Sequence, residues 1–205
     1  MKPIVLASAS PRRAELLERA GIPFEVLSVH FPSELEKIAS VSGSVAAGVE
    51  TTARKKLQRV LAEVSIRAIV VCADTVVAVN GRILGKPSSR IEAVQMLEAL
   101  SGREHEVFTA VAVADTATGK QAVFHERTVV KFRELRISEI QNYVSTGEPF
   151  DKAGAYGIQE RASAFIEKVD GCYANVVGLP VARLVSVLKE KMGVDVTEYW
   201  KTSGL

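Results

Sequence analysis

The sequence predicts an α/β fold: a single domain on one mixed, twisted sheet flanked by helices. Three observations carry that expectation. Apolar runs of strand length alternate with helix-period segments through the first half of the chain. Asn80-Gly81 is a two-residue hairpin signal, and two long alternating segments follow it, so antiparallel pairing joins the same sheet. The chain has 205 residues, 47% hydrophobic and 24% charged, which is enough to bury a core without disulfide or metal staples. The domain is expected over residues 1–192, with 193–205 as a peripheral C-terminal tail.

The elements follow in order. Residues 4–7 are a short apolar run, read as a buried strand. Ser10-Pro11 opens a helix, since Ser suits the N-cap and Pro the first helical position, and Gly21 stops it. Residues 24–29 read as a second strand. Residues 44–64 read as a longer helix with Val45, Val49, Ala53, Leu57, Leu61 and Val64 on one stripe. Residues 66–73 are nearly all apolar and β-branched, the pattern of a strand buried on both faces. Residues 76–84 form the hairpin, and Ser88 or Ser89 caps a helix to about Leu100, closed by Gly102. Strands are expected over 105–114 and 121–133. Ser138 is expected to cap a short helix to about Val144. An irregular stretch covers 147–159, a strand 163–169 with a turn at Asp170-Gly171, and Pro180 starts a helix to about Met192.

Composition excludes several classes. Lys and Arg number 26 against 24 Asp and Glu, a net charge of +2, with no basic stripe, so no nucleic-acid partner is expected. Cys72 and Cys172 sit in no CxxC or zinc spacing and read as free thiols. No apolar run is long enough to cross a membrane, and the N-terminal run is too short for a signal peptide. A cytoplasmic protein without a membrane partner is the expectation. His30, His105 and His125 form no metal spacing.

Four places could carry chemistry. Arg12 and Arg13 occupy the first turn of a helix, where cations oppose the helix dipole. That placement makes sense if a polyanion docks on the helix N-terminus, with the hydroxyls of Ser8 and Ser10 as further donors; solvated surface arginines are the plain alternative. Asp74 ends an apolar strand, where α/β sheets collect ligands. A carboxylate there can hold a divalent metal or orient a water, or simply bond its own turn. Gly85-Lys86-Pro87 is not a P-loop, but Lys86 can serve as a point charge for phosphate. In the stretch from Asp151 to Gln159, glycines allow close backbone approach, Tyr156 can pack on a flat ring, and Gln159 offers both donor and acceptor to a base edge.

Taken together, Ser8-Ala9-Ser10-Pro11-Arg12-Arg13, Ala73-Asp74-Thr75, Gly85-Lys86-Pro87, Leu100-Ser101-Gly102, Asp151-Lys152-Ala153-Gly154-Ala155-Tyr156-Gly157-Ile158-Gln159 and Val177-Gly178-Leu179-Pro180 closely resemble the Maf family of nucleoside triphosphate pyrophosphatases. The segments keep the family's order and reach to about Leu188. The resemblance implies an α/β fold related to inosine triphosphate pyrophosphatases. It also implies hydrolysis of a nucleoside triphosphate to monophosphate and pyrophosphate, a divalent cation (Mg²⁺ or Mn²⁺), a homodimer, and a role in clearing surplus or non-standard nucleotides.

Carried over by motif, Asp74 matches the family's catalytic acid, which is also a candidate metal ligand. Ser8, Ser10, Arg12 and Arg13 match its phosphate loop, Lys86 a phosphate-binding lysine, and Lys56 a second one, with the adjacent Lys55 as the alternative register. Glu34 is the best match to a metal-linked acid, with Glu36 as the alternative. The form of the stretch from Asp151 to Gln159 resembles the subgroup acting on dTTP and UTP, including modified pyrimidine nucleotides. Arg12, Thr75 and Gln159 match the positions linked to that base preference. The alternatives are a pyrophosphatase for 7-methyl-GTP or another modified nucleotide, and a non-catalytic nucleotide-binding regulator of septum formation, the effect that gives the family its name. Two departures stand out: Cys72 occupies a position where the family pattern has Gly, and Phe31-Pro32-Ser33 is less typical.

Overall fold

Residues 69–79 hold an apolar, largely β-branched run interrupted only by Asp74 and Thr75, and they form a long strand at the sheet's centre. The computed structural model describes residues 2–29 and 43–202. Among these residues the strands are β1 (Ile4–Ala7), β2 (Glu25–Leu27), β3 (Ile69–Val79), β4 (Arg82–Leu84), β5 (Glu104–Asp115), β6 (Gln121–Phe132) and β7 (Ile166–Asp170). They form one mixed sheet in the order β2-β1-β3-β5-β6-β7, with β4 also paired to β3. β1 runs parallel to both β2 and β3, and the other pairings are antiparallel. The mixed α/β class expected from the sequence is the class found.

The register of β3 shapes the site. On one edge β3 pairs with β5 along almost its whole length, from Ile69↔Asp115 to Ala78↔Glu106. On the other edge β1 pairs only as far as Leu6↔Val71, and β4 begins at Val77↔Leu84. Between those two neighbours the edge of β3 around Asp74 and Thr75 is uncovered. The sequence reading placed Asp74 at a strand end; the structure places it inside a longer strand, at this gap. The strand continues because Val76 and Val77 keep the apolar alternation beyond the two polar residues, and the reversal comes only at Asn80 and Gly81, both with positive φ.

The helices are α1 (Pro11–Arg19), α2 (Val45–Leu61), α3 (Arg90–Leu100), α4 (Ile137–Ser145), α5 (Tyr173–Val177), α6 (Val181–Met192) and α7 (Thr197–Thr202). On one sheet face, Val49, Ala53, Leu57 and Val60 of α2 pack on Val70, Cys72, Val76 and Ala78 of β3 and on Phe108, Ala110 and Ala112 of β5. The opposite face is covered in two parts. α1, α6 and the segment through Tyr199 pack on Ile69, Val71 and Ala73. α3, α4 and the 150–165 region pack on Val77, Val79 and Phe132.

Some boundaries differ from expectation for local reasons. α4 starts at Ile137 with Arg136 as its N-cap residue, because the Glu139 carboxylate accepts from the Arg136 backbone N–H at 2.9 Å; Ser138 lies inside the helix. Residues 161–165 form a 3-10 turn, so β7 begins later than the sequence suggested. Within the stretch expected as a peripheral tail, Val194, Val196 and Tyr199 join the core cluster beneath β1 and β3. Val196 is fully buried, the Tyr199 hydroxyl donates to the Lys2 carbonyl at 2.9 Å, and Trp200 Nε1 donates to the Ala20 carbonyl at 2.9 Å.

Candidate active site

The uncovered edge of β3 opens a cleft of about 280 Å³ lined by Ser8, Ser10, Arg12, Arg13, Lys56, Asp74, Lys86 and Asp151. Strand alternation sends Asp74 to the face covered by α2 and Thr75 to the opposite face. On the Thr75 side a second, smaller lobe of about 80 Å³ is lined by Thr75, Val77, Val107, Tyr156, Ile158 and Gln159. Ser10 and Arg12 line both lobes. The two lobes therefore meet around the end of β1, one on each side of the sheet.

The larger lobe is cationic. Lys56 projects from α2 onto Asp74 and pairs with its Oδ1. Lys55, the alternative register, is exposed on α2 and does not line the cleft. The other oxygen, Asp74 Oδ2, is buried with no hydrogen-bond partner among the described residues. Lys86 extends exposed at the cleft, and no ion pair forms on it among the described residues. Ser10 caps α1 without a side-chain hydrogen bond, so its hydroxyl is available to an anion at the helix N-terminus.

The two arginines divide their work. Arg13 turns inward: Nη1 donates to Ser8 Oγ at 3.0 Å, Nε to the Gly178 carbonyl at 2.8 Å and Nη2 to Thr75 Oγ1 at 3.1 Å. Burial lowers its pKa from the usual value, and the negative charge of Asp74 opposes that shift; a guanidinium stays charged regardless. Arg12 reaches across the cleft to Asp151, with Nη1 donating to Oδ2 at 2.9 Å, and lies 3.9 Å from Glu160. The same two carboxylates are held from beneath by buried Lys152, whose Nζ donates to Asp151 Oδ1 at 2.7 Å and the Glu148 carbonyl at 2.8 Å and pairs with Glu160 at 2.9 Å. Burial works to raise the Asp151 pKa, but hydrogen bonds from Lys152 and Arg12 outweigh it and leave it below its ordinary value.

The small lobe is walled by the loop after Asp151. Gly154, at φ +69°, lies so close to β3 that a Cβ there would sit 2.9 Å from Val77. Its N–H donates to the Gly85 carbonyl at 3.0 Å, tying this loop to the loop of Lys86. Tyr156 is buried, and its hydroxyl lies 2.8 Å from His105 Nε2. Burial drives the His105 pKa down to about 4, so the imidazole is neutral. The Gln159 amide makes no hydrogen bond among the described residues and lines the small lobe.

The structure thus brings together Ser8, Ser10, Arg12, Arg13, Lys56, Asp74, Thr75, Lys86 and Gln159. Glu34 and Glu36 lie outside the described residues. Sequence reasoning had left Asp151, Lys152 and Thr109 without roles. Thr109 could have been noticed as a polar residue flanked by Val107 and Val111 on one face of the strand. For Asp151 and Lys152 the signal is only their place at the start of the Asp151–Gln159 stretch.

An α/β sheet with a cationic lobe for a polyanion, joined to a small lobe walled by an aromatic residue and an amide, defines a nucleotide-binding class of protein. More particularly, the chain belongs to the Maf-like proteins: the family model described as Maf-like protein matches residues 3–191. It is 47% identical over 196 residues to a protein of Desulforamulus reducens named dTTP/UTP pyrophosphatase, covering 96% of this chain and 100% of that protein. It is 48% identical to the protein of that name from Pelotomaculum thermopropionicum, over the same shares of the two chains. With the Bacillus cereus protein of that name the identity is 49% over 197 residues, 96% of this chain and 99% of the relative. Among solved structures, a nucleoside-triphosphatase / dITP/XTP pyrophosphatase from Mycobacterium abscessus superposes with a TM-score of 0.42 at 17% identity. It covers 63% of this chain and 74% of that one, too loose a likeness to argue from.

Proposed function

We propose that this chain is a nucleoside triphosphate pyrophosphatase that hydrolyses dTTP and UTP, and modified pyrimidine nucleotides like them, to the monophosphate and pyrophosphate. The observation that carries the reading is the two-lobed cleft, with cations on one side of the sheet and a small base-sized lobe on the other, joined through Ser10 and Arg12. The names of the Maf-like relatives support it.

In this reading the β- and γ-phosphates lie in the cationic lobe, and the base enters the small lobe. A water attacks the α-phosphorus in line, the bond from that phosphorus to the α–β bridging oxygen breaks, and pyrophosphate leaves with the electron pair. Charge grows on the leaving group, and Arg12, Arg13, Lys86 and the N-terminus of α1 stabilise it where it grows. Lys56 fixes Asp74 through Oδ1, leaving Oδ2 to orient the water and take its proton. A buried carboxylate oxygen lacking a protein partner also fits an oxygen-preferring divalent cation, and Asp74, with Glu34 from the resemblance, would hold it. When bound, Mg²⁺ or Mn²⁺ supplies further neutralisation of phosphate charge. Thr75 and Gln159 face the base.

A homodimer in the cytoplasm completes the reading; the family resemblance carries the first, which light scattering reads, and the composition carries the second. No described helix is long and apolar enough to cross a membrane. The deciding experiment incubates the protein with Mg²⁺ or Mn²⁺ and a panel of triphosphates, 7-methyl-GTP included, measuring pyrophosphate separately from orthophosphate. Pyrophosphate release led by dTTP and UTP is expected. Tight binding without release from any triphosphate would favour a nucleotide-binding regulator instead.

A further inference from the structure

Uracil, thymine and cytosine have nearly the same shape and differ in hydrogen-bond polarity on one edge. Uracil and thymine present an N3–H donor, whereas cytosine presents an N3 acceptor. The Gln159 amide can turn end for end and satisfy either pattern. A site that separates these bases needs a group whose polarity is fixed.

Thr75 is such a group, and the cause lies behind it. The guanidinium of Arg13 can only donate, so Thr75 Oγ1 accepts from Nη2 at 3.1 Å. Thr109 is directly opposite Thr75 in the β3–β5 register and fully buried, with the two hydroxyl oxygens 2.9 Å apart. Thr109 donates to the Asn175 carbonyl at 2.9 Å, and a carbonyl cannot donate back. The Thr109 proton is therefore committed, and the Thr75 proton goes to Thr109. The reverse order would leave Thr75 donating to the Gly178 carbonyl, 3.5 Å away and already taking Arg13 Nε at 2.8 Å. That contact is long and its acceptor is already occupied, so Thr109 is the group that holds the Thr75 proton inside the protein, and toward the small lobe Thr75 has no proton to offer.

We propose that Thr109 is a specificity-determining positioning residue: by receiving the Thr75 proton it makes Thr75 an acceptor toward the base, which selects bases carrying N3–H over cytosine. This rests on the pyrimidine triphosphate reading above. A site built for one hydrogen-bond polarity leaves a polar group unpaired against the wrong base, which is where discrimination is strongest.

The test compares kcat/KM for UTP and CTP in the wild type, Thr109→Val and Thr109→Ser. Valine keeps the β-branched shape but cannot receive the proton, so the Thr75 hydroxyl is released to donate to cytosine N3. The UTP-to-CTP ratio is expected to fall at least tenfold in Thr109→Val, with kcat/KM for CTP rising in absolute terms, and to be kept in Thr109→Ser. A proportional loss on both substrates, leaving the ratio within twofold, would overturn the inference, because a merely structural role moves both alike. A second arm needs no variant: the wild type should hydrolyse 3-methyl-UTP, which lacks N3–H, at least tenfold more slowly than UTP. Equal rates would overturn the inference even if Thr109→Val did not fold. Absence of pyrophosphate release from UTP and dTTP by the wild type would defeat the underlying reading first, a separate and recognisable failure.

Discussion

Gly154→Ala separates two costs in one loop. Gly154 sits at φ +69°, where an L side chain is strained, and its Cβ would stand 2.9 Å from Val77 Cβ and Cγ2 in the rigid centre of β3. The conformational cost is about 1–2 kcal/mol, and overpacking against a well-packed strand adds about 1–3 kcal/mol. Gly147 is the control: φ is +81°, but nothing lies within 4 Å of a Cβ there. Gly147→Ala should therefore lose only the conformational part, and Gly154→Ala about 1–3 kcal/mol more. At roughly 2–4 °C per kcal/mol for a chain of this size, that is a further fall in Tm of about 2–12 °C. Urea unfolding and a thermal melt of both variants read it directly. Because the loop also carries Tyr156 and Gln159, Gly154→Ala should raise KM for UTP while Gly147→Ala leaves it unchanged. Equal destabilisation by the two substitutions would refute the claim that close packing on Val77 holds this loop.

Three further expectations follow from the same contacts. Asp74→Asn removes the proposed proton acceptor and should lower kcat by about 10²–10⁴-fold while nucleotide binding stays measurable; turnover near the wild-type rate would take Asp74 out of the mechanism. His105 is held neutral down to about pH 4, below its unfolded value of 6.5. Between those values the unfolded chain binds a proton that the folded chain does not, so this contribution, about 3 kcal/mol, is present above pH 6.5 and lost as the pH falls toward 4. His105→Leu should flatten the slope of urea stability over that window, and an unchanged slope would show that His105 is not the group responsible. Burial pushes the Cys72 thiol up to about 12, whereas Cys172 is partly exposed. A thiol reagent should therefore label one cysteine in the native protein and both after denaturation; rapid native labelling of Cys72 would contradict its place beneath α2.

Much of this architecture is legible in the residues, and the exceptions have physical causes. The long helix, the Asn80-Gly81 hairpin and the paired long strands announce themselves because period and turn chemistry are local properties. The polarity of Asp74-Thr75 suggests a strand end, yet tertiary pairing with β5 carries the strand through them. The arginines at the start of α1 are the sequence feature on which the proposed anion site rests. Their division of labour does not show in the sequence, since Gly178 and Asp151, which hold them, lie far along the chain. Lys55 and Lys56 are indistinguishable by type, and only the burial of the α2 stripe through Ala53 and Leu57 turns Lys56 onto Asp74. Thr109 is ordinary until its partner across the register is known.

The anchorage of β1 and α1 sets an order on the protein's own synthesis. Ser8, Arg12 and Arg13 leave the ribosome before Tyr199 and Trp200, so the carbonyls of Lys2 and Ala20, which flank them, wait for hydroxyl and indole donors separated from them by 197 and 180 positions. Contacts of such long range form late and carry a high loop-closure cost. A nascent chain therefore holds the segment of Ser8, Arg12 and Arg13 without the clasp that seats it until the residues some 180 positions further on have been made. The cleft gains its final geometry only when the region around Tyr199 and Trp200 docks, so a chain interrupted before that point would carry the whole set of cleft residues on an unclasped helix.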